Sequence, residues 1–499
     1  MSVSRRSLLR VGGAAAITSC SCGLTACVST NAATGRSSFT GGFSPADDIK
    51  LGTEQHPKML EAFGGEYQHR RLQSYVDMLG RRLAKYTEYQ QFPYRFTLLN
   101  SPIVNAFALP GGYVYISRGL LALASNEAEL AGVLAHELGH VNARHSAERL
   151  GAQRMAQFGV IAGAIGASLL GLPADSIAQL GQTIATLAIK SYSREQELES
   201  DTLGVRYMSR AGFDPDAMAS FLASMGEQSQ IEARSKGLPP GSVDQYNLLA
   251  THPRTTDRVR QAQAAAQTAR PANARIGRKD YLAMIDGMLY GDDPAQGIVK
   301  GQQFFHPDMR FTFTAPPGFR VQNTPDKVVA SNAAGAALMF DIANVTRAND
   351  LGTYIRSVWA SKARVQDLST ITVNGMTGAT GRTQGNTQQG PMDVRFVALA
   401  RDNKSVFRMM FISPQSRTAS LNDAFRRSTY SMRRLSEKEA RGVKALTMNV
   451  RPARAGERVD ELSTNLPYGV LNPDWFRVLN DMPPNAQPTP SQILKVINA

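Results

Sequence analysis

Glu127-Ala128-Glu129-Leu130-Ala131-Gly132-Val133-Leu134-Ala135-His136-Glu137-Leu138-Gly139-His140 is the stretch on which the fold turns. Its apolar residues recur at helical spacing, and Ser125-Asn126 just ahead of it is a helix start signal. Positions four apart on a helix differ by about 40° in direction, so the imidazoles of His136 and His140 leave one face and can share one Zn²⁺ ion. Glu137 lies about 100° round, too far to ligate with them but close enough to hold an attacking water as general base. Two of the chain's seven histidines fall inside this apolar segment. A fortuitous surface helix is a poor account of that placement.

A third ligand has to come from elsewhere. His145 is nine residues past His136, roughly 140° to 180° away if the helix continues, so it cannot join the pair. The extended zinc pattern needs Gly at 143 and His at 146, where Ala143 and Ser146 stand. A carboxylate is therefore expected, and Ser193-Arg194-Glu195-Gln196-Glu197-Leu198-Glu199-Ser200-Asp201 is the best source. Glu197 and Asp201 share a helix face: Glu197 can ligate while Asp201 accepts the outer N–H of a ligand histidine. The same run also reads as a solvated acidic helix start, and spacing alone leaves both open. Glu195 and Glu199 point elsewhere.

Working outward, Asn105-Ala106-Phe107-Ala108-Leu109-Pro110-Gly111-Gly112, then His136 to His140, then Glu197-Leu198-Glu199-Ser200-Asp201, then Ala211-Gly212-Phe213-Asp214-Pro215 follow one another. In combination they resemble the HtpX-like and CAAX-prenyl-protease-like zinc metallopeptidases over roughly residues 46–265. The resemblance implies His136, His140 and Glu197 as zinc ligands, Glu137 as catalytic base and Asp201 as the partner of a ligand histidine. It also implies that the loop Thr251-His252-Pro253 reaches the zinc. There His252 would either take the open coordination position and hold the enzyme latent, or stabilise an oxyanion with Arg258 as helper; a structural histidine capping a loop fits equally. The soluble, exported members are the closer match. The uncharged stretch 155–174 is long enough to span a bilayer, but Gln157, Ser168 and its glycines favour a helix packed beside the active site.

The ends of the chain carry an address and accessory units. Ser4-Arg5-Arg6-Ser7-Leu8-Leu9-Arg10 and the uncharged run after it read as a twin-arginine-type export signal over residues 1–27. Leu24-Thr25-Ala26-Cys27 resembles a lipobox, with Cys27 favoured over Cys20 as the lipidated residue. All three cysteines (Cys20, Cys22, Cys27) lie in this segment, which excludes a disulfide framework, a cysteine metal site and a thiol nucleophile from the folded body. Residues 28–45 read as a flexible tether, 46–270 as the metallopeptidase domain and 271–305 as a linker. Alternating runs at 310–314, 337–342, 394–400 and 405–412, with helical stretches at 351–361 and 420–434, give an antiparallel α/β sandwich over 306–435. Residues 440–499 weakly resemble a LysM-like module, though Gly456-Glu457-Arg458 replaces the usual Gly-Asp-Thr.

The 499 residues, 42% apolar and 19% charged, thus describe an α+β multidomain chain. It comprises a mainly helical, gluzincin-like domain with a short sheet, the sandwich, and the LysM-like unit. Net charge is +14, and residues 426–458 hold ten Lys and Arg against three Glu. For a lipoprotein of the bacterial envelope nucleic acid drops out as partner, leaving a membrane reached through the lipid anchor, or peptidoglycan. Unfolded or misassembled envelope proteins are the expected substrates. The alternative is an envelope assembly factor or chaperone whose metal site is closed by His252.

Overall fold

The computed structural model describes residues 28–152, 192–235, 237–239, 252, 256–346, 350–387 and 390–499. The expected signal peptide, with Cys20 and Cys27, and the stretch 155–174 lie outside the described residues. Among the described residues no helix is long and apolar enough to cross a membrane. The chain divides into two compact units, one running to Met288 and resuming over Met448–Asn498, the other Leu289–Thr447.

The first unit opens where a flexible tether is expected. Instead, β1 (Val28–Thr30) and β2 (Ser37–Phe39) form an antiparallel hairpin. The Asn31 carboxamide oxygen accepts from the amides of Ala33 and Thr34 and so closes the turn. Its Nδ2 donates to the carbonyl of Asn142, which fastens the hairpin to the body. Helices α1 (Pro45–Ala62) and α2 (Arg70–Ala84) follow. β3 (Arg95–Leu99) then pairs in parallel with β5 (Tyr113–Ser117), and β4 (Ala106–Leu109) adds antiparallel to β5 at the edge, giving the order β3-β5-β4.

After α3 (Arg118–Leu123) comes α4 (Glu127–Asn142), capped by the Asn126 side chain accepting from the amide of Glu129. Every residue of α4 is buried, which makes it the axis of the unit. Against it pack α5 (Arg194–Arg210) and α6 (Asp216–Ser235). The approach of α4 and α5 is set by two glycines. A Cβ on Gly139 would stand 2.6 Å from Ser200 Oγ, and one on Gly204 3.2 Å from the His136 amide nitrogen. Ser200 Oγ uses that closeness to donate to the His136 carbonyl at 2.8 Å. α7 (Thr256–Ala269) and α8 (Arg278–Ile285) complete this part.

The second unit is sheet-rich. It contains β6 (Leu289–Tyr290), β7 (Ile298–Lys300), β8 (Gln303–His306), β9 (Phe311–Thr314), β10 (Arg320–Asn323), β11 (Val328–Ser331), β12 (Ala337–Asn344), α9 (Leu351–Tyr354), β13 (Gln366–Val373), β14 (Met376–Thr387), β15 (Gly390–Ala400), β16 (Ser405–Pro414), α10 (Thr418–Ser431), β17 (Arg433–Arg434) and α11 (Glu437–Gly442). Seven strands form one antiparallel sheet in the order β10-β11-β12-β16-β15-β14-β13, and β17-β9-β8-β7 form a second. Phe304, Phe311, Phe313, Phe340, Phe407 and Phe425 meet in the core, with Phe425 brought by α10. The expected linker at 271–305 does not exist as such, because α8, β6, β7 and part of β8 occupy it.

The chain then returns to the first unit through β18 (Leu446–Pro452), α12 (Val459–Leu462), α13 (Asn472–Leu479) and β19 (Ile493–Asn498). A free-standing module over 440–499 is therefore not what is observed. The cause is visible at Lys495: fully buried, it donates from Nζ to the carbonyls of Ala122, Leu123 and Ala124 at 2.9, 3.1 and 3.0 Å. Those are open carbonyls at the C-terminal end of α3, which a lysine satisfies well.

Candidate metal centre

α4 presents His136 and His140 one turn apart, and α5 presents Glu197 opposite them. Their donor atoms converge. The two Nε2 atoms are 3.0 Å apart; Glu197 Oε1 is 3.3 Å from His140 Nε2 and Oε2 is 3.6 Å from His136 Nε2. His252 joins the group, with Nδ1 3.2 Å from His136 Nε2 and 2.9 Å from Glu197 Oε1. All four residues are buried and their ligand atoms lie within 4.8 Å of one another. Bonds of about 2.0–2.1 Å in a tetrahedral site put neighbouring ligand atoms about 3.3 Å apart, close to these separations. The imidazole and carboxylate donors are those a zinc ion takes.

Glu137 stands beside this group rather than in it. It is fully buried, and neither carboxylate oxygen accepts a hydrogen bond among the described residues; His252 Nε2 stands 3.4 Å from Oε1. Burial pushes its pKa up, tempered by the imidazoles of His252 and His136. An unpartnered buried carboxylate costs free energy unless the site uses it. It also faces an apolar pocket lined by Val133, Met218, Phe221, Leu222 and Met225. A second cleft runs past His140 and Tyr192 to Ala108, Leu109 and Pro110, at the end of the edge strand β4.

Both inward-facing histidines are held from behind. His136 Nδ1 lies 2.9 Å from Asp201 Oδ1, as the four-residue spacing of Glu197 and Asp201 anticipates. His140 Nδ1 lies 2.8 Å from His145 Nδ1, and His145 Nε2 lies 2.9 Å from Glu199 Oε2. With both Nε2 lone pairs facing inward, the proton assignment follows from these partners. His140 Nδ1–H points at His145, and His145 Nε2–H points at Glu199. Arg36 on the turn of the β1–β2 hairpin in turn clamps Glu199 and Glu148, at 3.0 and 2.7 Å.

Arg258 is engaged by carboxylates of α5. Its Nε and Nη2 donate to the two Asp201 oxygens at 2.7 and 2.8 Å, and Nη1 reaches Glu197 Oε2 at 2.6 Å. The guanidinium is spent on two buried carboxylates. Burial works against the charged form of each, yet His252 and His140 hold Glu197 well below the usual carboxylate range, and Arg258 with His136 hold Asp201 down. Burial likewise opposes charge on His252, but Glu197 and Glu137 outweigh it and raise its pKa. His140 is lowered by burial.

The structure thus brings His136, Glu137, His140, Glu197, Asp201, His252 and Arg258 together, while Cys27 lies outside the described residues. His145 lies outside the group of converging donors, behind His140, and its position does not follow from its helical angle. α4 ends at Asn142, Arg144 takes a left-handed φ of 57°, and after this break His145 meets the outer nitrogen of His140. Sequence reasoning missed that role, and with it Glu199, Arg36 and Tyr192, whose ring stacks on His140 at 3.8 Å. Asn142 as a helix stop is the one signal that points there.

The profile of peptidase family M48 matches residues 70–266, the segment that builds this centre. A beta-barrel assembly-enhancing protease of Escherichia coli (strain K12) is 33% identical over 216 residues, 42% of this chain and 42% of that protein. The mitochondrial metalloendopeptidase OMA1 of Schizosaccharomyces pombe is 31% identical over 190 residues, 38% of this chain and 51% of that protein. The chain therefore spans about half the length of the curated relatives it matches, or less. Among solved structures, cyanobacterial PsbP from Synechocystis sp. PCC 6803 aligns over 29% of this chain and 98% of its own. Its TM-score of 0.22 at 14% identity carries no argument. Profile and geometry coincide on one segment: residues 70–266 carry the match to peptidase family M48 and hold His136, Glu137, His140, Glu197 and His252.

Proposed function

We propose that this chain is a zinc-dependent metalloendopeptidase of the bacterial cell envelope, acting on unfolded or misassembled proteins in quality control. The observation that carries the reading is the convergence of His136, His140 and Glu197 beside a buried Glu137 that has no hydrogen-bond partner among the described residues. Those three residues would hold one zinc ion per chain, which would supply Lewis acidity toward water and a peptide carbonyl. Glu137 takes the proton of the attacking water and hands it to the leaving amine. Asp201 and the His145–Glu199 pair keep the two histidines in the tautomer that turns Nε2 inward. Met218, Phe221, Leu222 and Met225 exclude bulk water from Glu137 on one side. The edge strand β4 adds an extended substrate by backbone hydrogen bonds, which leaves side-chain selectivity weak and favours unfolded chains.

The envelope setting draws on the Escherichia coli relative, whose name ties it to β-barrel assembly, and on the export signal with Cys27 as lipid attachment site. In this reading the chain is anchored to a membrane through that lipid, and residues 440–499, with their strand, helix, helix, strand order, are a LysM-like contact to peptidoglycan. The outer partners of the ligand histidines give a test in the metal itself. Glu199→Gln is expected to weaken zinc binding about 10–100-fold in a chelator competition, with the fold intact; unchanged affinity removes the relay from the account.

A second reading has one observation in its favour. His252 sits among the ligand atoms, 2.9 Å from Glu197 and 3.4 Å from Glu137, where water and substrate would have to enter. The chain would then be an envelope assembly factor or chaperone with a latent site closed by His252. Cleavage of casein, unfolded and folded, by the zinc-loaded wild type and by His252→Ala separates the two. The enzyme reading predicts cleavage by the wild type, faster for unfolded substrate. Cleavage only after His252→Ala favours the latent site, and equal rates on folded and unfolded substrate end the quality-control idea.

A further inference from the structure

In the second unit, Arg382 on β14 and Arg395 on β15 are direct cross-strand partners in an antiparallel ladder. Their side chains leave the same face of the sheet, and like charges so placed repel one another. That face lies under α10. Arg395 Nη2 donates to Asn422 Oδ1 on this helix at 2.6 Å, and Arg426, one turn further along it, lines the same groove. Burial and the neighbouring Arg382 hold the Arg395 pKa below the usual guanidinium value. The groove measures about 470 Å³ and is also lined by Leu368, Ile371 and Val397. Its acidic lining residue is Asp367, paired with Arg382 at 2.9 Å. A repelling pair of arginines over an apolar surface is a poor way to close a sheet. It is a good way to receive an anion.

We propose that this groove binds a phosphate monoester carried on an apolar body. Three guanidinium groups against one carboxylate leave two positive charges, which a phosphate monoester dianion matches and a single carboxylate does not. The planar forks of Arg382 and Arg395 suit paired hydrogen bonds to phosphate oxygens. The hydrocarbon part covers Leu368, Ile371 and Val397. The ligand reaches the groove either as a soluble ester or as the headgroup of a membrane lipid.

Titration calorimetry on the full chain tests this with octyl phosphate, octanoate and inorganic phosphate. Octyl phosphate is expected to bind more tightly than either of the others, since only it carries both the dianion and the tail. Arg382→Gln and Arg395→Gln are each expected to weaken it about tenfold or more, whereas Arg320→Gln, on the far strand β10, leaves it unchanged. Without ligand, Arg382→Gln should melt close to the parent, because the exposed pair with Asp367 that is lost and the repulsion from Arg395 that is relieved offset one another. Flotation with phosphatidylcholine vesicles, with and without phosphatidic acid, identifies the source. Binding to the acidic vesicles assigns a lipid headgroup, and binding of octyl phosphate alone assigns a soluble ester. Octanoate binding as tightly as octyl phosphate, no saturable binding of octyl phosphate, or indifference to both arginine substitutions overturns the proposal.

Discussion

Glu137→Gln is expected to retain the metal and lose proteolysis. The substitution keeps the shape of a side chain that is fully buried and makes no hydrogen bond among the described residues, so neither packing nor the His136, His140 and Glu197 donors change. What disappears is the carboxylate beside the metal centre that takes a proton from water and returns it to an amine. General acid–base catalysis of this kind contributes about 10²–10⁴-fold, and the loss in kcat should fall in that range or above. Stability should stay level or rise, because a carboxylate whose pKa burial has pushed up is replaced by a neutral amide. Zinc content and casein cleavage measured on the same preparation check both halves. Retained cleavage would remove Glu137 from the chemistry, and lost zinc would make it a ligand.

Arg258→Met carries the second large effect, and it is one of stability. The guanidinium joins Asp201 to Glu197 through three contacts of 2.6–2.8 Å in a region where all three side chains are almost wholly excluded from solvent. Removing one member of such a buried group strands the others, at about 3–5 kcal/mol. The cost should be greatest for protein stripped of metal with a chelator, since two carboxylates then face each other without a cation. Arg258→Lys should recover only part, because one ammonium cannot reach both carboxylates with the same fork. Denaturant unfolding in the presence and absence of zinc measures the difference; a variant as stable as the parent without metal would contradict the assignment.

The centre was legible in the chain because most of it rests on two helices with clear signals. Asn126 caps α4, the apolar spacing holds through to Asn142, and a four-residue step on each helix fixes which side chains share a face. His252 and Arg258 came into view only through family resemblance, and the structure gave Arg258 a different partner set. His145 was hidden because its reading assumed a helix that continues, whereas the helix breaks at Ala143 and Arg144. The hairpin at 28–39 was hidden by its Ser, Thr and Ala content, which resembles a tether until Asn31 closes the turn.

In the second unit β15 and β16 announce themselves by alternating apolar residues around Arg401-Asp402-Asn403-Lys404. β13 and β14 do not. Rich in Thr, Gly and Gln, they are held by the ladder they share with their neighbours, a tertiary cause that no local pattern reveals. The return of the chain to the first unit is equally non-local. Its anchor, Lys495, looks like any lysine in an apolar strand until the carbonyls of α3 stand in front of it.

The central claim is that His136, His140 and Glu197 hold one catalytic zinc, and metal analysis of the purified chain by mass spectrometry tests it most directly. The account predicts one zinc per chain in the parent and in Glu137→Gln, and none in His140→Ala. A parent that carries no zinc after loading, or a His140→Ala variant that carries as much, would contradict it.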